Sequence, residues 1–375
     1  MQKRKYTHLY RAITVAIFIS ALSVPFRAPA AIALDQSTAV IFAYQRVGED
    51  SVPQGNISLE RFKEHITELI KGGYSVLPLP RIIDALKNGE TLPSKTVGIT
   101  FEGAYQATIA VTAPLLEDAN LPFTVFFASD MADGGNHLHM NWNQIKKLRK
   151  NERVSLGILP AAYEHMASQT PEQNAALVNR ALARYREMLD AEPLFFAYPY
   201  GEYNAALKKQ LSRYTFKGVF GQQSGVVHAE SDFLALPRFT MTDDYGDLDR
   251  FRLTANALPL PVGDVVPEDT MLAKNPPVIG FTVTPDIGNL SRLSCFASSL
   301  GKIPLTRVGG NRIEVRPAQP FTDRRTRINC TMPNGTLAPG DLKSWRWFGM
   351  LLIVPSMEED TEEDPGEDRE SPESQ

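Results

Sequence analysis

Lys95-Thr96-Val97-Gly98-Ile99-Thr100-Phe101-Glu102-Gly103-Ala104-Tyr105 is the stretch from which the fold can be read. Val97, Ile99 and Phe101 alternate with small or polar residues behind Pro93, the pattern of a buried strand. The strand is expected to end at Glu102, and Gly103 then allows a sharp turn. In an α/β sheet, ligands and catalytic groups collect at the carboxyl ends of strands. A carboxylate delivered there is a candidate site residue; a solvent-facing strand end is the plainer alternative.

Working outward, strand-like and helix-like segments alternate. Strands are expected at 38–45, 74–77, 123–128, 153–159, 194–198 and 216–220. Ser58 is placed to cap a helix carrying Leu59, Phe62, Ile66 and Leu69, and Gly72-Gly73 ends it. Further helices are expected around 82–89, 109–116 (kinked or restarted at Pro114), 141–150, 171–189, 204–212 and 248–258. This rhythm implies a mostly parallel sheet covered by helices, and about 220 residues in one unit suits a barrel. After Pro259-Leu260-Pro261 the pattern changes to short β-rich runs separated by Gly and Pro, as in a small all-β sandwich.

The first residues read as an address. Lys3, Arg4, Lys5 and Arg11 precede an apolar run over 12–24, followed by small residues. That is the layout of a signal peptide, expected over 1–33, with a periplasmic or extracellular destination. The formal charge is −4 overall. The leader is wholly basic and the segment 357–375 holds ten acids against Arg369, which leaves the body neutral. A neutral body argues against nucleic acid as a partner, and the acid-rich tail is expected to be disordered. Cys295 and Cys330 are the two cysteines. In an exported chain they are expected to form a bridge, stabilising the fold by roughly 4 kcal/mol. The expected layout is a barrel domain over 34–262 and a sandwich over 275–356.

Three stretches together resemble a known family: Ile99-Thr100-Phe101-Glu102-Gly103-Ala104-Tyr105, Ser155-Leu156-Gly157-Ile158-Leu159-Pro160 and Phe196-Ala197-Tyr198-Pro199-Tyr200-Gly201. Their order and spacing are similar to those of the polysaccharide deacetylases of carbohydrate esterase family 4, the NodB homology domain. The resemblance covers about 40–258. It implies a distorted (β/α) barrel, followed here by the small all-β domain, and hydrolysis of acetamide groups on an N-acetylated glycan such as a chitooligosaccharide or exopolysaccharide. In that family a divalent metal, usually zinc, activates water beside an Asp base.

Carried over residue by residue, the base position falls on Glu102 and the metal-ligand positions on Gly103, Leu159 and Tyr163. Gly and Leu offer no ligand atom, and a phenol is a poor substitute for imidazole. No cofactor is therefore expected, and zinc only if a substitute site forms from His165, His137 or His139. Tyr105, Tyr198, Pro199, Tyr200 and Gly201 are the expected groove residues, and Gln222, Gln223 and His228 lie in a loop that can face the sugar. Trp345 and Trp347 share a strand face, with core packing favoured over an exposed platform. The expected function is polysaccharide deacetylation if catalysis survives. The alternatives are a glycan-binding pseudo-deacetylase and a scaffold that engages envelope polysaccharide-machinery proteins.

Overall fold

The computed structural model describes residues 35, 37–135, 137–284, 287–335 and 344–355. The expected signal peptide (1–33) and acidic tail (357–375) lie outside the described residues.

Strands β1 (Thr38–Tyr44), β2 (Ser75–Val76), β3 (Thr96–Glu102), β4 (Phe123–Phe127), β5 (Val154–Ile158), β6 (Phe195–Ala197) and β7 (Gly218–Phe220) build a mostly parallel, curled sheet. The order is β1-β3-β4-β5-β6-β7, with β2 on β3. Outside β1, two short strands share one edge: β8 (Val227–His228) runs antiparallel and β9 (Phe239–Thr240) parallel. This is a distorted (β/α) half-barrel of the expected class. Strands β3 and β4 are buried at every residue, which is why they read as nearly continuous apolar runs.

The helices begin and end where local chemistry directs. Ser58 Oγ accepts the Arg61 N–H at the start of α1 (Leu59–Lys71), which buries Phe62, Ile66 and Leu69. Helix α2 (Leu79–Lys87) covers β3. Helix α3 (Gln106–Asp118) runs unbroken through Pro114, so the restart expected there does not occur. After α4 (Ser129–Asp133) and α5 (Trp142–Leu148), α6 (Pro171–Leu189) starts on a Thr170–Gln173 capping box with Pro171 in its first turn. Helix α7 (Ala205–Leu211) follows, and α8 (Leu248–Ala255) stops short of the expected 258. It stops because β10 (Leu258–Pro259) is already paired in the second unit.

That unit has two sheets. Strands β11 (Val262–Val266) and β12 (Ile279–Val283) begin one; β13 (Ser294–Ala297) and β14 (Gly301–Ile303) belong to the other. Strands β15 (Leu305–Val308), β16 (Arg312–Val315), β17 (Arg325–Pro333) and β18 (Trp345–Ile353) complete them, in the orders β10-β18-β17-β13-β14 and β11-β12-β16-β15. Hydrogen bonding of the β unit thus starts ahead of the expected boundary at 275. The Cys295–Cys330 bridge forms, between directly paired residues of β13 and β17. Trp347 is buried edge-on to Phe239 of the barrel, 5.1 Å between centroids, and Phe348 packs on Phe281 within the sandwich. Trp347 fills a core, as favoured, whereas Trp345 at the start of β18 is half-buried.

One core residue had no signal in the sequence. His65 is fully buried, stacked on Phe251 at 4.0 Å. Its Nε2–H donates to the Gly246 carbonyl, and its Nδ1 accepts from Tyr44 OH. Desolvation lowers its pKa to about 4, only partly opposed by the Gly246 carbonyl. The folded state therefore binds this proton less readily than the unfolded chain. The contribution is fully present above pH 6.5 and is lost as the pH falls through about 4. Urea unfolding between pH 6.5 and pH 4 is expected to show about 3 kcal/mol more pH-dependent loss in the wild type than in His65→Gln; equal slopes would contradict the assignment.

Candidate functional site

Strand β3 delivers Glu102 to the mouth of the half-barrel, where only 3 % of its surface stays exposed. Both carboxylate oxygens are engaged. Arg238 Nη2 donates to Oε2 at 2.6 Å, while Tyr163 OH and Gln222 Nε2 donate to Oε1 at 2.9 and 3.1 Å. Arg238, just before β9, is completely buried, donates its Nε to the Gly221 carbonyl and lies 5.4 and 5.8 Å from the Phe126 and Phe220 ring centroids. A charged pair this deep persists only if its remaining donors and acceptors are also satisfied. Here hydroxyl, amide and carbonyl groups provide that satisfaction.

Tyr163, at an expected metal-ligand position, is instead a hydrogen-bond relay. Burial and the neighbouring Glu102 carboxylate push its pKa well above the ordinary phenol value, so it remains a donor. Its oxygen accepts the backbone N–H of Tyr200 at 3.1 Å. Tyr200 has φ of 56°, a left-handed conformation uncommon outside glycine, inside the short turn Pro199–Gly201. At Gly201, a Cβ would meet Gln222 at 2.5 Å, so the turn requires glycine there. The Tyr200 ring stacks on His165 at 4.1 Å and lies 5.3 Å from Arg325 Cζ. His165 Nδ1 is 3.0 Å from Glu202, a fully buried carboxylate that also holds Arg324 of the sandwich at 3.2 Å.

The residues present do not fit a divalent cation. The positive charge beside Glu102 is the guanidinium of Arg238, fixed just before β9. Gly103 has φ of 101°, and a Cβ there would sit 2.5 Å from the Tyr105 ring. That ring is itself held under Arg46 at 3.7 Å and against His139 at 4.7 Å. Leu159 is buried in the apolar core. Of the candidate substitutes, His137 is exposed, His139 is packed on Tyr105 and His165 is committed to Glu202. Among the described residues, no group of three or more His, Cys, Asp or Glu is arranged to hold a metal.

Several expected site residues lie elsewhere. Tyr198 is fully buried and donates its hydroxyl to the Leu234 carbonyl, so it is a core residue rather than a groove residue. Pro199 and Gly201 are buried parts of the turn. Tyr105 is buried beside Gly103. Gln223 donates to the Ala235 carbonyl and, with His228, lines a separate cavity of about 340 Å³ between the two units. Burial lowers the His228 pKa to about 4.

A cavity of about 570 Å³ opens between the barrel mouth and the five-stranded sheet. Tyr163, Tyr200 and Gln222 form its floor; Phe296, Arg325 and Arg327 face them from the sandwich. Gln222 connects the two units, because its Oε1 accepts from Arg327 at 3.4 Å. Arg238, Glu202 and the sandwich arginines carry no motif in the sequence that marks them as site residues. The available signal was an Arg within the apolar run Leu234 to Met241.

Arg238→Met is expected to cost about 3–5 kcal/mol in urea unfolding, since it strands a buried carboxylate. Adding Glu102→Gln should restore at least half of that loss. An Arg238→Met chain as stable as the wild type would contradict the pairing.

Comparison with known proteins agrees with this geometry. Residues 89–219 match the family model described as polysaccharide deacetylase. The chain is 22% identical over 249 residues to the poly-beta-1,6-N-acetyl-D-glucosamine N-deacetylase of Escherichia coli K12, covering 55% of this chain and 37% of that protein. It thus spans well under half the length of that relative. Among solved structures, a Streptococcus pyogenes deacetylase in complex with acetate superposes with a TM-score of 0.54 at 17% identity, covering 58% of this chain and 98% of that one. A de-N-acetylase from Aggregatibacter actinomycetemcomitans gives 0.50 at 19% identity, covering 56% and 97%. At such identities these structures establish the fold. Residues 89–219 of the half-barrel thus resemble the polysaccharide deacetylase family, and the fold of the whole half-barrel is that of its solved members.

Proposed function

We propose that the chain is an exported glycan-binding member of this family, which takes N-acetylated polysaccharide into the cavity at the barrel mouth without metal-dependent deacetylation. The observation that carries this reading is the engagement of Glu102 by three donors: Arg238, Tyr163 and Gln222 hold both of its oxygens. Three donors leave such a carboxylate about one of its four lone-pair positions for a water, and a general base needs hydrogen-bond reach to the proton it removes. The cavity nevertheless keeps what sugar recognition requires, namely aromatic faces with a few oriented polar groups. The family's association with N-acetylated glucosamine polymers supplies the ligand class.

The Tyr200 ring is central to that recognition, held on one face by His165 and fixed through its backbone by Tyr163. Calorimetry with chitohexaose is expected to show binding that survives chelation and weakens about tenfold in Tyr200→Ala. Acetate should not be released from the same oligosaccharide, with or without added zinc. Zinc-dependent acetate release that chelator abolishes would overturn the reading in favour of an active deacetylase.

A further inference from the structure

Arg250 is the cation in the cavity wall that the reading above leaves unexplained. It stands on α8 with its guanidinium carbon 5.3 Å from the Tyr245 ring centroid and 5.9 Å from that of Trp347. Its Nε is buried and has no hydrogen-bond partner. Among the described residues no carboxylate comes within ion-pair distance of it. Burial pushes its pKa down, yet an arginine keeps its charge at any ordinary pH. A largely buried cation with an orphaned donor is costly unless something outside the chain completes it.

The opposite wall adds charge of the same sign. Arg325, Arg327 and Asn329 alternate along β17, so all three face one side of the sheet and line the cavity. Phe296 stands opposite Asn329 on β13 and is 40% exposed, one of the few large apolar side chains left open. Two acids also line the cavity. Asp243 is held by Arg61 and the Ser58 N–H, and Asp244 lies exposed at the rim. The lining therefore favours anions, and an open aromatic face beside arginines suits a sugar ring that bears a carboxylate.

We propose that the cavity reads an acidic glycan, in which Arg250, Arg325 and Arg327 engage uronate-type carboxylates while Phe296 and Tyr200 pack against the rings. This deepens the glycan-binding reading and rests on it. A polysaccharide with alternating N-acetylated and carboxylate-bearing sugars fits the family's ligand class and offers an acceptor to the orphaned Arg250 Nε.

The test is calorimetry on the full chain with hyaluronan hexasaccharide, chitohexaose and a polyglutamate peptide. Hyaluronan hexasaccharide is expected to bind about tenfold or more tightly than chitohexaose, the worth of one charge-assisted hydrogen bond. Arg250→Gln should bring the ratio of the two affinities close to one, and Arg327→Gln should lower it as well. The second variant serves if the first melts at a lower temperature. Equal affinities for the two sugars would overturn the acidic-glycan inference while leaving glycan binding intact. Binding of neither would remove the glycan reading itself. Polyglutamate binding as tightly as hyaluronan would also overturn the inference, pointing to an acidic peptide as occupant.

Discussion

Arg238 and Glu102 form an ion pair out of reach of water, and the rest of the site is arranged to make that pair tolerable. Two desolvated charges repay their burial only when geometry is good and the remaining polar atoms are satisfied. The 2.6 Å contact meets the first condition, and Tyr163, Gln222 and the Gly221 carbonyl meet the second. The pair and these partners come from four separate segments of the chain. The pair consequently ties the loops after β5 and β7 to β3 and to the residues just before β9. A cation built into the chain cannot exchange with solvent ions, and this distinguishes the pocket from one designed around a metal.

The same network extends into the sandwich. Gln222 passes the contact from Glu102 to Arg327, Glu202 accepts from both His165 and Arg324, and Trp347 packs on Phe239. Polar and apolar contacts thus hold the β unit over the barrel mouth. The cavity is consequently shared between the two units, with its floor from the barrel and its cationic wall from β17.

How much of this could be read beforehand follows from the range of each interaction. The alternation of Val97, Ile99 and Phe101 and the Ser58 cap are local signals, and the sheet and its helices follow them closely. So does the placement of Glu102 at a strand end. The motif positions place Gly103, Leu159 and Tyr163 where the family's ligands are expected. What periodicity cannot carry is pairing across the chain. Arg238 lies 136 residues beyond Glu102, and His65 meets Gly246 across 181. Tyr198 differs for a related reason: its motif neighbour Tyr200 lines the cavity, but its own hydroxyl turns inward to Leu234. The strand Leu258–Pro259 falls within the expected helix end because its partner, β18, comes almost ninety residues later.

The account stands on Arg238 filling the role of counter-ion to Glu102 under all conditions, including an excess of zinc. A crystal structure of the protein grown with zinc, with anomalous data collected at the zinc edge, examines that directly. The expected result is no anomalous peak in contact with Glu102 and an unbroken Arg238–Glu102 pair. A peak bound by Glu102, with the Arg238 guanidinium displaced, would contradict it.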